Sequence, residues 1–211
     1  NNVAVGYNAG LNITDGTYNI LVGGAAGDAI TGGDRNVAIG HGALSTEDTG
    51  SRSTAIGYNA LSTQNFGTNN YNVAVGYAAG TDIASGTKNT LIGSLAGDAL
   101  TNGIENVVVG YAALSSEDGH GKNIAIGAYA LNALNAGADA YNVALGYSAG
   151  YTMSTGLHNT LVGAAAGYGL TTGGYNIAIG YEALKSEDTT SKSVAIGYQA
   201  LTAQDTGYAE A

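Results

Sequence analysis

Apolar residues recur along the chain in groups of three, at intervals of seventeen residues. The first groups are Val3-Ala4-Val5, Ile20-Leu21-Val22 and Val37-Ala38-Ile39. The outer two residues of each group are mostly β-branched, which favours a short strand, and the glycine that follows each group ends it. The pattern predicts one short strand per repeat, with a second short strand over positions eight to twelve.

The repeat accounts for the whole chain. Cut from Asn2, the sequence divides into units of 17, 17, 17 and 19 residues, which gives three super-repeats, 2–71, 72–141 and 142–211. Positions are numbered from the Asn or Ser that starts each unit. Position five is Gly and position eight is Ala in all twelve units, and position one is Asn in ten. The sequence therefore predicts a single repeat array over 2–211, without a linker.

Units this short cannot bury an apolar face alone, so neighbouring units must stack. We expect an all-β fold, a parallel β-solenoid (β-roll) of twelve 17-residue coils. At about 4.8 Å per coil the rod would be about 58 Å long. A helical solenoid is disfavoured, because its units usually exceed about 30 residues and fixed glycines would break short helices.

Position three is apolar in every unit. Because strand side chains alternate, we expect positions two and four to fill the core and position three to face away from it. A strand that is apolar on both faces is buried on both, so this stripe should meet sister chains. The predicted trimer stripe comprises Ala4, Leu21, Ala38, Ala55, Ala74, Leu91, Val108, Ala125, Ala144, Leu161, Ala178 and Ala195. The prediction is an intertwined or side-by-side homotrimer; the alternative is a monomeric two-layer solenoid that holds all these side chains inside.

Leucine occupies position three only in the second unit of each super-repeat, at Leu21, Leu91 and Leu161. Position six is small in those units, whereas elsewhere it is usually Tyr. We interpret the pairing as compensation of volume between positions three and six within one packed layer.

Two motifs carry a family resemblance. The segment NVAIG at 36–40 resembles the head repeats of trimeric autotransporter adhesins, which form left-handed parallel β-rolls in trimers. The longer segment NIAIGYEAL at 176–184, with the Thr206-Gly207 turn, is similar to repeats of phage tail-fibre and related surface proteins that carry a C-terminal intramolecular chaperone domain. The resemblance covers essentially the whole chain and implies a fibre segment. The repeat is longer than the usual adhesin head repeat.

Charge and composition exclude several partners. The formal net charge is −10 and only 10% of residues are charged, so the clustered Lys and Arg that nucleic acid requires are absent. No apolar run approaches the roughly 20 residues that cross a bilayer, so we expect no membrane insertion. The chain has no Cys and therefore no thiolate metal site. We expect no cofactor.

No motif indicates catalysis. The segment GYSAG at 146–150 fits the nucleophile-elbow pattern, but sister units carry Asn8, Ala25 or Ala78 in place of Ser148. The three His residues fall at three different positions of the repeat, so they cannot form a row. We predict that the chain is not an enzyme.

Two sets of residues are candidates for binding. Acidic pairs recur at Glu47-Asp48, Glu117-Asp118 and Glu187-Asp188; the interleaved pattern of calcium loops is missing, so we expect solvated loops and leave calcium open. Position six carries a row of tyrosines that either pads the roll, which we favour, or contacts glycans. These are Tyr7, Tyr58, Tyr77, Tyr111, Tyr147, Tyr181 and Tyr198.

The leading hypothesis is a structural shaft or stalk of a trimeric fibre, a phage tail fibre or bacterial surface adhesin, that supports attachment to a host or surface. Its partners would be sister chains and a host glycan or receptor, outside the cell or on a virion. The alternative is a monomeric solenoid that binds glycans or ice through an exposed face. Against an ice-binding Thr ladder, position thirteen varies, as Thr14, Asp48 and Asn65 show.

Overall fold

The computed structural model describes residues 1–186 and 188–202. These residues form an all-β solenoid with one parallel sheet, in which the strands follow one another in chain order. The strands are β1 (Val3–Val5), β2 (Ile20–Val22), β3 (Val37–Ile39), β4 (Thr54–Ile56), β5 (Val73–Val75), β6 (Thr90–Ile92), β7 (Val107–Val109), β8 (Ile124–Ile126), β9 (Val143–Leu145), β10 (Thr160–Val162), β11 (Ile177–Ile179) and β12 (Val194–Ile196). The predicted fold class is confirmed.

Equivalent repeat positions pair across every strand. In the first pair, Val3 lies opposite Ile20 and Ala4 opposite Leu21. The two extra residues of the fourth coil are absorbed in its loop, since β4 still pairs with β5 in register, with Thr54 opposite Val73. The sheet therefore keeps one register along the whole described array, and each repeat position forms a straight column.

The two faces of the strands are the reverse of the sequence prediction. Position three is the core position: Leu21, Ala38 and Leu91 are completely buried within the single chain. Every other member of the predicted trimer stripe is also buried, apart from Ala4 in the first coil, which is exposed. Positions two and four point outward instead, as the 41% exposure of Ile92 shows. The position-three residues therefore pack inside their own coil, and their assignment to a contact with sister chains is wrong.

The reason lies in the residues that share a face with position three. Strand alternation places positions one and five on that same face. The Asn at position one is buried in the coils that carry it, except at the exposed Asn2, and the Gly at position five contacts the next coil. The interior thus receives an amide, one apolar side chain and a glycine, and the bulky β-branched pair is left on the outside.

The predicted second strand does not form within the described residues: positions eight and nine are turn residues in every coil, and no described residue at positions ten to twelve belongs to a strand. Left-handed residues at positions seven and nine, such as Asn8 at φ 57° and Leu44 at φ 53°, turn the chain back toward the sheet. The turns still join coil to coil: the amide of Gly27 donates to the carbonyl of Ala43 at 2.9 Å, and that of Leu44 to Ala60 at 3.0 Å. Each coil is therefore held to the next on both sides of the roll.

A ladder of asparagine side chains, most of them buried, closes nine of the coils. The side-chain amide of Asn36 donates to the carbonyl of Gly50 at 2.9 Å, fourteen residues later in the same coil. The backbone amide of Asn36 donates to the side-chain oxygen of Asn19 at 2.8 Å, one coil before. Where Ser53 interrupts the ladder, Gln64 donates to its hydroxyl at 2.9 Å. Because an unpaired buried polar group costs about 1–3 kcal/mol, these partners explain why position one is so constant.

Core volume is balanced between positions three and nine, and the predicted balance with position six is wrong. A Cβ on Gly80 would lie 2.7 Å from Leu91 Cδ1, and one on Gly97 would lie 3.0 Å from Leu91 Cδ2. Leu91 thus fills the space of two coils that have Gly at position nine. In the eighth coil the order is reversed, with Ala125 at position three and Leu131 at position nine, both buried.

The glycine at position five is required twice over. Its φ lies between 128° and 148° in all twelve coils, a region closed to other residues. In addition, a Cβ on Gly110 would lie 2.5 Å from the carbonyl oxygen of Gly127 in the next coil. We expect Gly110→Ala to destabilise the fold by at least about 3 kcal/mol, because strain and collision add.

The matched control for this substitution is Gly137→Ala. Gly137 also has a positive φ, of 67°, but a Cβ there would meet nothing within 4 Å. Its cost should be only about 1 kcal/mol of backbone strain. Thermal unfolding followed by circular dichroism compares the two variants, and equal losses would contradict a close-contact role for position five.

The exchange between positions three and nine is also testable. Leu91→Ala should cost about 2–5 kcal/mol, because it leaves a cavity beside Gly80 and Gly97. The double variant Leu91→Ala with Gly97→Leu reproduces the eighth coil, where Ala125, Leu131 and Leu134 are buried together. In thermal unfolding, the double variant should recover at least half of the stability that Leu91→Ala loses. Additive losses in the double variant would show that the two positions do not share one space.

Candidate functional site

The outward residues of the strands form one continuous apolar surface, called here the outer face. It consists of positions two and four of β1 to β12, which are all Val, Ile or Leu apart from Thr54, Thr90 and Thr160. In the middle of the array Ile124 is 36% and Ile126 38% exposed. The face is about 10 Å wide and about 55 Å long at ordinary strand spacings. Isolated exposed apolar residues are normal, but a largely apolar strip of this length indicates a contact surface.

One aromatic column lies beside the outer face, at position six. All seven tyrosines predicted there are exposed. Their rings stack where neighbouring coils both carry one: His41 lies 5.6 Å from Tyr58, and Tyr58 lies 5.3 Å from Tyr77. Small residues such as Ser94 and Ala128 interrupt the row. The column is therefore a set of short stacks that border the strip and does not form an uninterrupted glycan platform.

A second column, at the last position of each coil, was missed by the sequence analysis. It carries mainly aromatic and basic side chains, with one Glu, on residues with left-handed backbone: Tyr18, Arg35, Arg52, Tyr71, Lys88, Glu105, Lys122, Tyr141, His158, Tyr175 and Lys192. Arg35 lies 5.5 Å above the ring of Tyr18. His158 stacks on Tyr175 at 4.8 Å. The last column of the aligned repeat consists of aromatic and charged residues in every described coil from Tyr18 to Lys192, so the sequence already contained this signal.

An ion pair and a hydrogen bond hold Lys122 of the second column in place. Lys122 Nζ lies 2.6 Å from Asp139 Oδ2 and 3.1 Å from the Tyr141 hydroxyl. The hydrogen bond to Asp139 and that to Tyr141 raise the pKa of Lys122. The same ion pair lowers the pKa of Asp139. All of these groups lie near the surface, so the pair serves mainly to orient the side chains.

The acidic pairs are divided between core and solvent. Glu47 and Glu117 are fully buried, so the expectation of solvated loops is wrong for them, whereas Asp118 and Asp188 are exposed. Glu187 lies outside the described residues. The carboxylate of Glu47 accepts from the Gly50 amide at 2.7 Å, Gln64 Nε2 at 2.9 Å and Asn70 Nδ2 at 2.8 Å. In this coil the carboxylate replaces an apolar core residue and ties three segments together.

Glu117 is similarly placed, beside His120. The three side chains of Glu117, Asp118 and His120 offer ligand atoms within 4.8 Å of one another. Protein donors already use the Glu117 carboxylate, since it accepts from the amide of His120 at 3.2 Å and that of Ala136 at 3.1 Å. The Glu117 carboxylate therefore serves as a hydrogen-bond acceptor that holds the loop together.

Ser148, the centre of the GYSAG segment, lies on a turn. It occupies position seven with φ 54° and is only 5% exposed. Its backbone amide donates to the Ala128 carbonyl at 2.9 Å, one coil before. The segment thus follows the same turn geometry as its sister coils.

Comparison with protein-family models, with curated proteins and with solved structures finds no match to the chain. Within the part of the chain that the structure describes, no helix is long and apolar enough to cross a membrane.

Burial raises the pKa of Glu47, although the hydrogen bonds from Gln64 and Gly50 oppose the shift. A raised pKa in the folded state means that the neutral carboxyl stabilises the fold below the pKa of the unfolded chain. That contribution is lost as the pH rises through the folded-state pKa. Relative to Glu47→Gln, we expect the unchanged chain to gain stability as the pH falls from 7 toward about 4.3, the ordinary Glu value. Paired urea-unfolding midpoints measure this difference, and a difference that is constant with pH would contradict it.

Proposed function

We propose that the chain is a shaft or stalk segment of a homotrimeric fibre that supports attachment to a host cell or another surface. The outer face is the observation that carries this proposal. Its β-branched residues are held flat and in register by the sheet, yet they are left in water in the single chain. Sister chains that present the same face would remove the strip from solvent along its full length.

The size of the surface supports such an assembly. Stable interfaces bury roughly 800 Å² on each partner. The outer face alone provides on the order of 500 Å², given the strand spacings, and the aromatic columns beside it enlarge this area. Tyr, Arg and apolar side chains are also the residues that are enriched in protein interfaces.

The proposed number of copies is three. A narrow flat face can close around a central axis with two others, and the flanking columns then meet at the edges between neighbouring chains. The resemblance of the NVAIG and NIAIGYEAL segments to repeats of trimeric surface fibres supports the same number. In this arrangement the residues at positions two and four replace the position-three residues as the trimer contact.

The mechanical role follows from the architecture. Each coil is bonded to the next by the sheet, by the turn amides and by the asparagine ladder, so the array resists bending and stretching. A rod of this kind can hold a binding tip away from its base, outside the cell or on a virion. Phage tail fibres and bacterial surface adhesins are the classes that we propose for it.

A monomeric binding module is the second candidate, and the regularity of the outer face favours it. Side chains at positions two and four repeat at the strand spacing over twelve coils, which would suit a periodic ligand such as a glycan chain or ice. Only Thr54, Thr90 and Thr160 are polar on this face, so recognition would depend mainly on apolar contact. A monomer in solution would make this candidate the better one.

The trimer is tested by solution molar mass. Light scattering should give three times the 20.9 kDa chain mass, and the paired variant Ile124→Glu with Ile126→Glu should lower it to one chain mass, because carboxylates cannot be buried in an apolar contact. Circular dichroism should show the same β-structure in both proteins, since the two side chains point out of the roll. The control Ala138→Glu lies in an exposed loop and should leave the molar mass at three times that of the chain. A single chain mass for the unchanged protein would contradict the proposal.

A further inference from the structure

One group of aromatic residues departs from the repeat. Coils eight to ten bring together four tyrosines and a serine around a cleft of about 480 Å³, called here the tyrosine cleft. Its lining residues are Tyr129, Tyr147, Ser148, Tyr151 and Tyr168. The residues seventy positions earlier are Asn59, Tyr77, Ala78, Thr81 and Asp98, so only Tyr147 has a tyrosine as its equivalent. Because the sister coils fold in the same way without the other three tyrosines, coil geometry does not require the cluster.

Missing rings at position six open the cleft. Tyr147 has Ala128 at the same position in the coil before it and Ala164 in the coil after it. Its ring therefore lacks the stacked neighbours that Tyr58 has in His41 and Tyr77, and it is 61% exposed. The aromatic residue absent from position six of the eighth coil occurs one residue later, as Tyr129.

Tyr129 adopts a backbone conformation that is unfavourable for a large residue. Its φ is 61°, in the left-handed region, where position seven in sister coils is usually small or polar. From there its ring stands nearly perpendicular to that of Tyr147, at 6.1 Å and 90°, and to that of Tyr151, at 6.2 Å and 78°. Tyr151 is in turn stacked on Tyr168 at 5.2 Å. The Tyr129 ring and the rings of Tyr147 and Tyr151 thus form two nearly perpendicular sides of a cleft that is open to solvent.

We propose that the tyrosine cleft is a binding site for a neutral saccharide. A pyranose ring has an apolar face of C–H groups that stacks on an aromatic ring, and a rim of hydroxyls that pairs with phenolic and serine hydroxyls. The cleft provides both surfaces, and its volume lies in the range of small-molecule sites, roughly 300–1,000 Å³. Tyrosine suits this task because one end of the side chain is apolar and the other forms hydrogen bonds.

Other ligand classes fit less well. Among the residues that the structure describes, no Lys, Arg or His lines the cleft, and the chain carries a net charge of −10, so an anionic ligand such as a phosphate ester would lack a counter-charge. A quaternary ammonium ion fits a small aromatic cage. This cleft is open on one side and lined with hydroxyls that such a cation would leave without partners.

The saccharide site lies within one chain and does not depend on the trimer. If the proposed fibre forms, Tyr147, at position six, lies beside the contact with a sister chain. Tyr129, Tyr151 and Tyr168 lie farther along the turn, at positions seven and ten, so each trimeric segment still presents three clefts. Weak single-site binding would then be strengthened by multivalent attachment to a glycan-covered surface. This multiplicity rests on the proposed function, whereas the affinity of one cleft does not.

The test uses saturation-transfer NMR and calorimetry on the intact chain. The probes are lactose, maltose and N,N′-diacetylchitobiose, with choline chloride as the cationic competitor. We expect at least one disaccharide to bind at about one site per chain with a millimolar dissociation constant, and choline to leave it bound. Failure of all three disaccharides to bind at 20-fold excess (about 10 mM), or displacement by choline, would overturn the proposal.

Substitutions taken from the sister coils locate the site without breaking the fold. Tyr129→Asn and Tyr151→Thr install the residues of equivalent coils, Asn59 and Thr81, and each should weaken disaccharide binding by about tenfold or more, the equivalent of about 1.4 kcal/mol. The control Tyr77→Ala removes a tyrosine outside the cleft and should leave affinity unchanged. Equal affinity in all the variants would place the sugar elsewhere and overturn the assignment. Light scattering on the same samples gives the molar mass and so tests trimer formation independently of sugar binding.

Discussion

The structure depends on the contact between glycines at position five of successive coils. At Gly110 and its equivalents the chain leaves the strand with a φ that only glycine adopts readily, and the carbonyl of the next coil lies where a Cβ would be. This contact fixes both the corner of each coil and its distance from the next. Once the corners are stacked, equivalent residues must lie above one another. The single register of the sheet, the asparagine ladder and the straight surface columns all follow from that stacking.

The same corner decides which side chains are inside. Position five faces inward, so strand alternation turns positions one and three inward as well and leaves only positions two and four for the outside. The interior is narrow, because the constant Ala at position eight lies across from the strand. It takes a single Leu, Val or Ala per strand, balanced by Gly or Leu at position nine. The β-branched residues that give the strand its propensity are thereby exposed, and the apolar outer face is a direct product of the way in which the coil closes.

This explains how far the sequence could predict the structure. The period, the strand positions, the super-repeats and the parallel solenoid follow from residue patterns, because stacking forces equivalent residues into equivalent environments. The prediction of which strand face is buried was wrong. A period of two residues shows that side chains alternate between the two faces, but it does not show which face lies inside. Asn36, Ala38 and Gly40 are two residues apart and therefore lie on the same face of the strand. Because the Asn and Gly positions are nearly constant among the coils, that face could have been identified as the interior. The burial of Glu47 could not be predicted, because its partners Gln64 and Asn70 come from the next coil.

The tyrosine cleft was missed for a different reason. Aligning the repeats draws attention to positions that are constant, and in this fold those positions are needed to close the coil. Tyr129, Tyr151 and Tyr168 differ from the other residues at their repeat positions. A residue that departs from its column on the outside of the roll is free of the closure constraint, so its identity carries information about contacts beyond the coil. The outer face and the cleft illustrate the two cases. The first is built from the repeat and suits a symmetric contact along the whole rod, while the second is built from departures at one place and suits a single small ligand.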